Sequence, residues 1–180
     1  MPEELNGKTC SFDVCSQCKI ICCQDAKPPL TLKRKKIIKE YLKKQKIEIK
    51  QPFSREKYSY PVDKQILCVF FDKTTMKCVI HPVKPETCRS GPVTFDVNFA
   101  TRKIEFFLKK SEICALAKIL YENPTAFKAH FEVAKGEITQ LVRELDTEDL
   151  KEVLKIEEPQ TFKFCEVDLP KEVAEKLGLK

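Results

Sequence analysis

The stretch that decides the reading of this chain is Phe12-Asp13-Val14-Cys15-Ser16-Gln17-Cys18-Lys19-Ile20-Ile21-Cys22-Cys23. Its cysteines follow the spacing C-x2-C-x3-C-C. A tight turn across C-x2-C can deliver two thiolates to one metal ion. Coordination keeps the thiols deprotonated at neutral pH, so binding metal and folding the site are one event. In extended chain the sulfurs of Cys22 and Cys23 point opposite ways, so the pair could serve two centres.

Working outward, ten cysteines in 180 residues is the outlier of the composition. A secreted chain would use them in a disulfide framework. The opening Met1-Pro2-Glu3-Glu4-Leu5-Asn6-Gly7-Lys8 has no apolar core of a signal peptide, and no later stretch is long enough to span a membrane. The expected setting is therefore the cytoplasm, with no membrane association. In a reducing compartment, clustered thiols hold metal or do redox chemistry more often than they form disulfides; hyperthermophile proteins are the exception. Cys15 and Cys18 could form a redox pair, but the strand and long helix of a thioredoxin-like frame do not surround them. No P-loop, GxGxxG, HExxH or G-x-S-x-G motif occurs.

Cysteines also stand at 68, 78, 88 and 114. From the residues alone, Cys68, Cys78 and Cys88 read equally well as ligands or as buried packing cysteines, and Cys114 reads as packing beside Leu116 and Ala117. Cys10 and Cys165 fit no spacing and are expected to be free thiols. His81 is a candidate ligand of a mixed site or a residue around it, although a lone histidine beside a proline is more often structural. Arg89 could donate to thiolate or sulfide, bind an anion, or pair with a carboxylate; the first role is preferred. His130 is read as ordinary.

The hydropathy pattern predicts a helix from Leu32 to about Gln45, capped by Thr31, with Ile37, Ile38, Tyr41 and Leu42 on one face and lysines and Arg34 over the rest. Residues 47–62 read as loop. Ile66–Phe71 and Met76–Ile80 read as a hairpin with Cys68 and Cys78 on its paired strands. A short helix after Pro85 carries Cys88 and Arg89. Val93–Phe99 alternates and pairs with Ile104–Leu108. Ser111 is expected to cap a helix from Glu112 to about Glu122. Pro124 opens a long helix through Leu145, Thr147 caps a short one, Thr161–Val167 is a late strand, and Pro170–Leu177 is a last helix stopped by Gly178.

Charge is uneven. Residues 1–60 carry 14 Lys/Arg against 7 Asp/Glu, and residues 111–180 carry 10 against 15. That asymmetry fits either an anionic partner for the front or attraction between the two parts. The run Lys33-Arg34-Lys35-Lys36 with Lys39, Lys43, Lys44 and Lys46 could meet nucleic-acid phosphates, but a solvated helix face is the favoured reading. Phe95, Phe99, Phe106 and Phe107 have strand spacing suited to a core rather than to base stacking.

These pieces together resemble the YkgJ-type cysteine-cluster family of candidate zinc- or iron-chelating domains. The opening Cys15, Cys18, Cys22, Cys23 corresponds to its cysteine run, with one extra residue before Cys22. Leu30-Thr31, Cys68-Val69-Phe70-Phe71, Cys78-Val79-Ile80-His81, Lys84-Pro85-Glu86-Thr87-Cys88-Arg89 and Cys114 follow in its order. His81 stands where tyrosine is common and Lys84 where arginine is common. The resemblance implies that all eight cysteines, 15, 18, 22, 23, 68, 78, 88 and 114, ligate metal. Eight thiols suffice for two four-thiolate sites, zinc or iron–sulfur.

The expectation is an α+β fold: a small, irregular, metal-stabilised domain at 10–122 with short hairpins and helices, and a mainly helical portion at 123–180 packed on it. The expected function is metal binding through zinc ions or iron–sulfur clusters in a structural, electron-carrying or accessory role, with an unidentified protein or small-molecule partner. The alternatives are an iron–sulfur-dependent modifying enzyme, given a thin similarity to flagellin lysine N-methylases, and RNA association through the basic helix.

Overall fold

The computed structural model describes residues 14, 15, 22, 28–53, 67–158 and 160–179. Extended chain ends at Thr31, whose hydroxyl accepts the Arg34 N–H at 3.0 Å and starts helix α1, Leu32–Gln45. Lys46, in the left-handed region at φ 56°, closes it. The inward stripe is Arg34, Ile38 and Leu42, one residue per turn. Arg34 was expected on the solvated side with the lysines. It lies on the same stripe as Ile38, and buried carboxylates receive it.

A hairpin of two rungs follows. Strand β1, Phe71–Asp72, pairs antiparallel with β2, Lys77–Cys78, in the register Phe71 to Cys78. Asp72 organises the turn by accepting the Thr74 N–H at 2.9 Å and the Thr75 hydroxyl at 2.6 Å. Those bonds, the Thr75 hydroxyl first, hold the Asp72 carboxyl below its ordinary range. The hairpin is shorter than its hydrophobic runs suggested. Cys68 precedes β1, in a turn closed by the Phe71 N–H donating to the Cys68 carbonyl at 2.9 Å. Cys68 is a bridge residue ahead of β1, while Cys78 sits on the β1–β2 ladder. A 3-10 turn, His81–Val83, leads to Pro85 and the five-residue helix α2, Glu86–Ser90.

The other sheet has three antiparallel strands in the order β3 (Val93–Asn98), β4 (Lys103–Lys109), β5 (Thr161–Asp168). Ile104, Phe106 and Leu108 alternate into the core. Val97, Phe95 and Val93 lie opposite them on β3. On β5 a bulge opposite Phe106 and Phe107 interrupts the alternation. The consecutive residues Phe164 and Cys165 both pack against the core as a result. Phe99 falls in the β3–β4 turn and is exposed, outside the face that its spacing suggested. The opposite face of the sheet is ionic. Lys163 bonds Glu105 and Glu166 at 2.8 Å each, and Lys103 also pairs with Glu166. Hydrogen bonds from Lys103 and then Lys163 lower the Glu166 carboxyl to about 2.

Helix α3, Ala115–Glu122, begins three residues later than expected, because residues 111–113 form a turn and Cys114 keeps an extended conformation as the N-cap. Helix α4, Pro124–Glu144, runs unbroken through Gly136. Asn123 caps it, accepting the Ala126 N–H at 3.0 Å. Replacing Asn123 with Ala is expected to cost about 1 kcal/mol. A lower urea midpoint at unchanged slope would report it, and an unchanged midpoint would refute it. Helix α5, Thr147–Val153, is capped by Asp146 rather than Thr147, since the Asp146 carboxylate receives the Asp149 N–H at 2.8 Å. Helix α6, Lys171–Lys176, follows Pro170 and ends before Gly178 at φ 75°.

Two apolar clusters organise these elements. The first gathers Leu30, Ile38, Leu42, Cys68, Phe70 and Ile80. The second joins the sheet to α3, α4, α5 and α6 around Phe106, Ile138, Leu141 and Val173. Phe131 is wedged edge-on between Phe106 and Phe164, with ring centroids 5.2 and 4.9 Å away. The expected metal-bearing span, 10–122, contains the first cluster together with β3, β4 and α3. Among the described residues no helix is long and apolar enough to cross a membrane.

Candidate metal centre

Cys68 belongs to the first cluster and Cys78 packs against it. Cys68 is buried and Cys78 half-buried, among Phe70, Val79 and Ile80. The Phe71 N–H closes a turn on the Cys68 carbonyl, and the register sets Cys78 opposite Phe71. Burial raises the Cys78 thiol above its ordinary value. The Ile80 N–H, which donates to its sulfur, and the Lys84 ammonium oppose that rise. An amide donor and a nearby cation are the surroundings that hold a thiolate in apolar protein.

The other candidates are more spread out. Cys88 is half-buried on α2. Cys15 and Cys22 are exposed. Cys114 packs against the second cluster, as does Cys165 on β5. Cys10, Cys18 and Cys23 lie outside the described residues. Among the described residues, no group of three or more His, Cys, Asp or Glu side chains stands ready to hold one ion. The donor chemistry still fits a soft metal, because the two thiols sharing the first cluster are zinc- and iron-type ligands.

The sequence reading missed what holds Cys88 in place. Glu86, on the same short helix, is 1% exposed. Its Oε1 accepts the Thr31 hydroxyl at 3.0 Å and Arg34 Nε at 3.2 Å. Arg34 Nη2 continues to Glu137 Oε2 on α4 at 2.6 Å. Arg89 closes the chain, with Nε 2.7 Å from Glu137 Oε1 and Nη1 donating to the Pro82 carbonyl at 3.4 Å. Of the three roles weighed for Arg89, the structure displays the carboxylate pair. The chain Thr31–Glu86–Arg34–Glu137–Arg89 thus ties α1, α2 and α4 together on either side of Cys88.

His130 belongs to the same seam. It is buried on α4, with Nε2 3.0 Å from the Ser90 carbonyl. A carbonyl only accepts, so Nε2 carries the proton. Ser90 donates its hydroxyl to the Glu86 carbonyl at 2.8 Å. His130 was readable: Phe127, His130, Ala134, Ile138 and Leu141 recur at the spacing of a buried helix face. Arg34 had a weaker signal, as the one arginine in a lysine run and three residues after a capping threonine. His81 opens the 3-10 turn and is half-buried.

A family model, CxxCxxCC, described as "Putative zinc- or iron-chelating domain", matches residues 14–115. No curated protein and no solved structure matches the chain. The matched span begins one residue before Cys15 and ends one after Cys114, so it contains all eight candidate cysteines and leaves out Cys10 and Cys165.

Proposed function

Because the chain belongs to the CxxCxxCC family, we propose that it is a metal-binding protein whose cysteine-bearing half is organised by zinc ions or iron–sulfur clusters. The ligands are drawn from Cys15, Cys18, Cys22, Cys23, Cys68, Cys78, Cys88 and Cys114. The observation that carries the proposal is that Cys68 and Cys78 share one small apolar cluster at a hairpin of only two rungs. A hairpin that short is marginal without further support. A bound metal supplies it, cross-linking elements that the apolar cluster alone holds weakly. A four-thiolate set here would draw on the N-terminal run Cys15, Cys18, Cys22 and Cys23 or on Cys88. The role that suits this arrangement is structural, electron-carrying or accessory.

Anaerobic purification followed by metal and acid-labile sulfide analysis tests the proposal. About one or two zincs per chain, or iron with matching sulfide and a visible absorption band, is the expected result. A folded protein that contains neither overturns it.

A further inference from the structure

Helix α1 turns Arg34, Ile38 and Leu42 inward and leaves Lys33, Lys36, Lys39, Lys43 and Lys44 exposed, with Lys46 just beyond its end. Glu40 is its one acidic residue. Among the described ion pairs, the acidic C-terminal part reaches this face through Lys33 to Glu144 at 3.8 Å, while Glu137 meets the inward Arg34. Among the described residues, Lys36, Lys39, Lys43, Lys44 and Lys46 have no carboxylate within ion-pair distance. Attraction between the two parts therefore consumes little of the basic charge. A solvated helix face commonly interleaves acids with lysines, and like charges four apart, such as Lys39 and Lys43, cost a few tenths of a kcal/mol each. This face keeps that repulsion.

We infer that the outer face of α1 docks the phosphate backbone of a nucleic acid, without reading its bases. Lys36 and Lys43 are about 10 Å apart along the helix axis, and a strand presents a phosphate about every 3.4 Å. Lysines act here as point charges on phosphates. Of the described aromatic residues near α1, Tyr41 packs into the first cluster and Phe53 lies beneath the Lys39 ammonium, 5.6 Å from it, so neither offers a free face for base stacking. Membrane insertion does not fit, because the one exposed large apolar residue of α1 is Leu32, at its start. A protein partner would need a buried aromatic or arginine anchor, and this face presents neither.

The test is fluorescence anisotropy with the full, metal-loaded chain, titrated against a labelled single-stranded RNA and a labelled DNA duplex over a range of KCl. Binding of both is expected, with log K falling against log salt at a slope of about −3 to −4, or ~0.7 to 0.9 per phosphate contact. The triple variant Lys36→Gln/Lys39→Gln/Lys43→Gln should reduce that slope by about 2 and weaken binding roughly tenfold or more at 0.1 M salt. Lys118→Gln/Lys128→Gln/Lys151→Gln, exposed lysines on other helices, should leave both unchanged. If the triple variant melts early, Lys36→Ala/Lys43→Ala, with a better helix former at both positions, reads the same slope change on a smaller scale. Absence of binding at 0.05 M KCl overturns the inference. So does an equal loss in both triple variants, or binding as tight to polyglutamate or to anionic lipid vesicles.

Discussion

Stripping metal from the protein is expected to unfold the cysteine-bearing half while the sheet half stays folded. Among the described residues, the first cluster fully buries Leu30, Ile38, Leu42, Cys68, Phe70 and Ile80. At about 1.5–3 kcal/mol for each large apolar side chain, that burial contributes on the order of 10–15 kcal/mol. The hairpin adds two rungs. A structural zinc contributes on the order of 10–16 kcal/mol, as much again as all of that burial. The second cluster needs no such help. It buries fifteen side chains, and strand β4 is laddered on both sides. Hydrogen exchange before and after chelation makes the distinction. Amides of α1 and of residues 70–80 should lose protection, and those of β4 and of α4 around Ile138 should keep it. Unchanged protection in the first cluster would sink the idea, and so would simultaneous loss in both.

The same division explains what could be read from the sequence. Helix α1, helix α2, the pairing of β3 with β4, helix α4 and strand β5 all carry local signals: a capping Thr31, Pro85 ahead of α2, the alternation of Val93, Phe95 and Val97, and Pro124 at a first turn. The hairpin was overestimated because Leu67 to Phe71 is apolar throughout, and periodicity cannot separate a strand from a buried turn in so short a run. Asp146 and Thr147 are adjacent and both can cap, so composition alone could not choose between them. The bulge that sends both Phe164 and Cys165 to the core has no local marker at all.

For the candidate site, spacing pointed to Cys15, Cys18, Cys22 and Cys23, because a turn-sized gap is a local property. Cys68, Cys78, Cys88 and Cys114 have no near neighbours in sequence, and only folding could group them. The fold sets Cys68 and Cys78 in one apolar cluster and Cys114 against the other. Least legible were the charges that fix α2. Arg34 is 52 residues from Glu86 and 103 from Glu137, and a lysine-rich run conceals it.

That network leads to the second large effect: Arg34→Ala is expected to cost about 3–5 kcal/mol, as removing one partner of a buried ion pair does. Three features put it at that level. The side chain is 9% exposed and its partner Glu86 1%, so water cannot take over the lost bonds. One guanidinium serves two carboxylates through different nitrogens, Nε to Glu86 and Nη2 to Glu137. The Thr31 hydroxyl is the other donor to Glu86 Oε1, and a neutral donor alone cannot compensate a buried carboxylate. Arg34→Lys should recover only part of the loss, because an ammonium lacks the fork that reaches both acids. Lys33→Ala, next to it and facing solvent, should change stability by no more than about 0.5 kcal/mol. The effect should also reach the metal. Glu86 and Arg89 flank Cys88 on a helix of five residues, so freeing that helix should speed metal loss to a chelator in Arg34→Ala, and less so in Arg34→Lys. Urea titration of the loaded protein and the rate of metal transfer to a colorimetric chelator measure the two consequences. A stability loss below about 1 kcal/mol would show that Glu86 is satisfied without Arg34. A large stability loss with an unchanged transfer rate would show that the seam supports the fold but does not hold Cys88 in place.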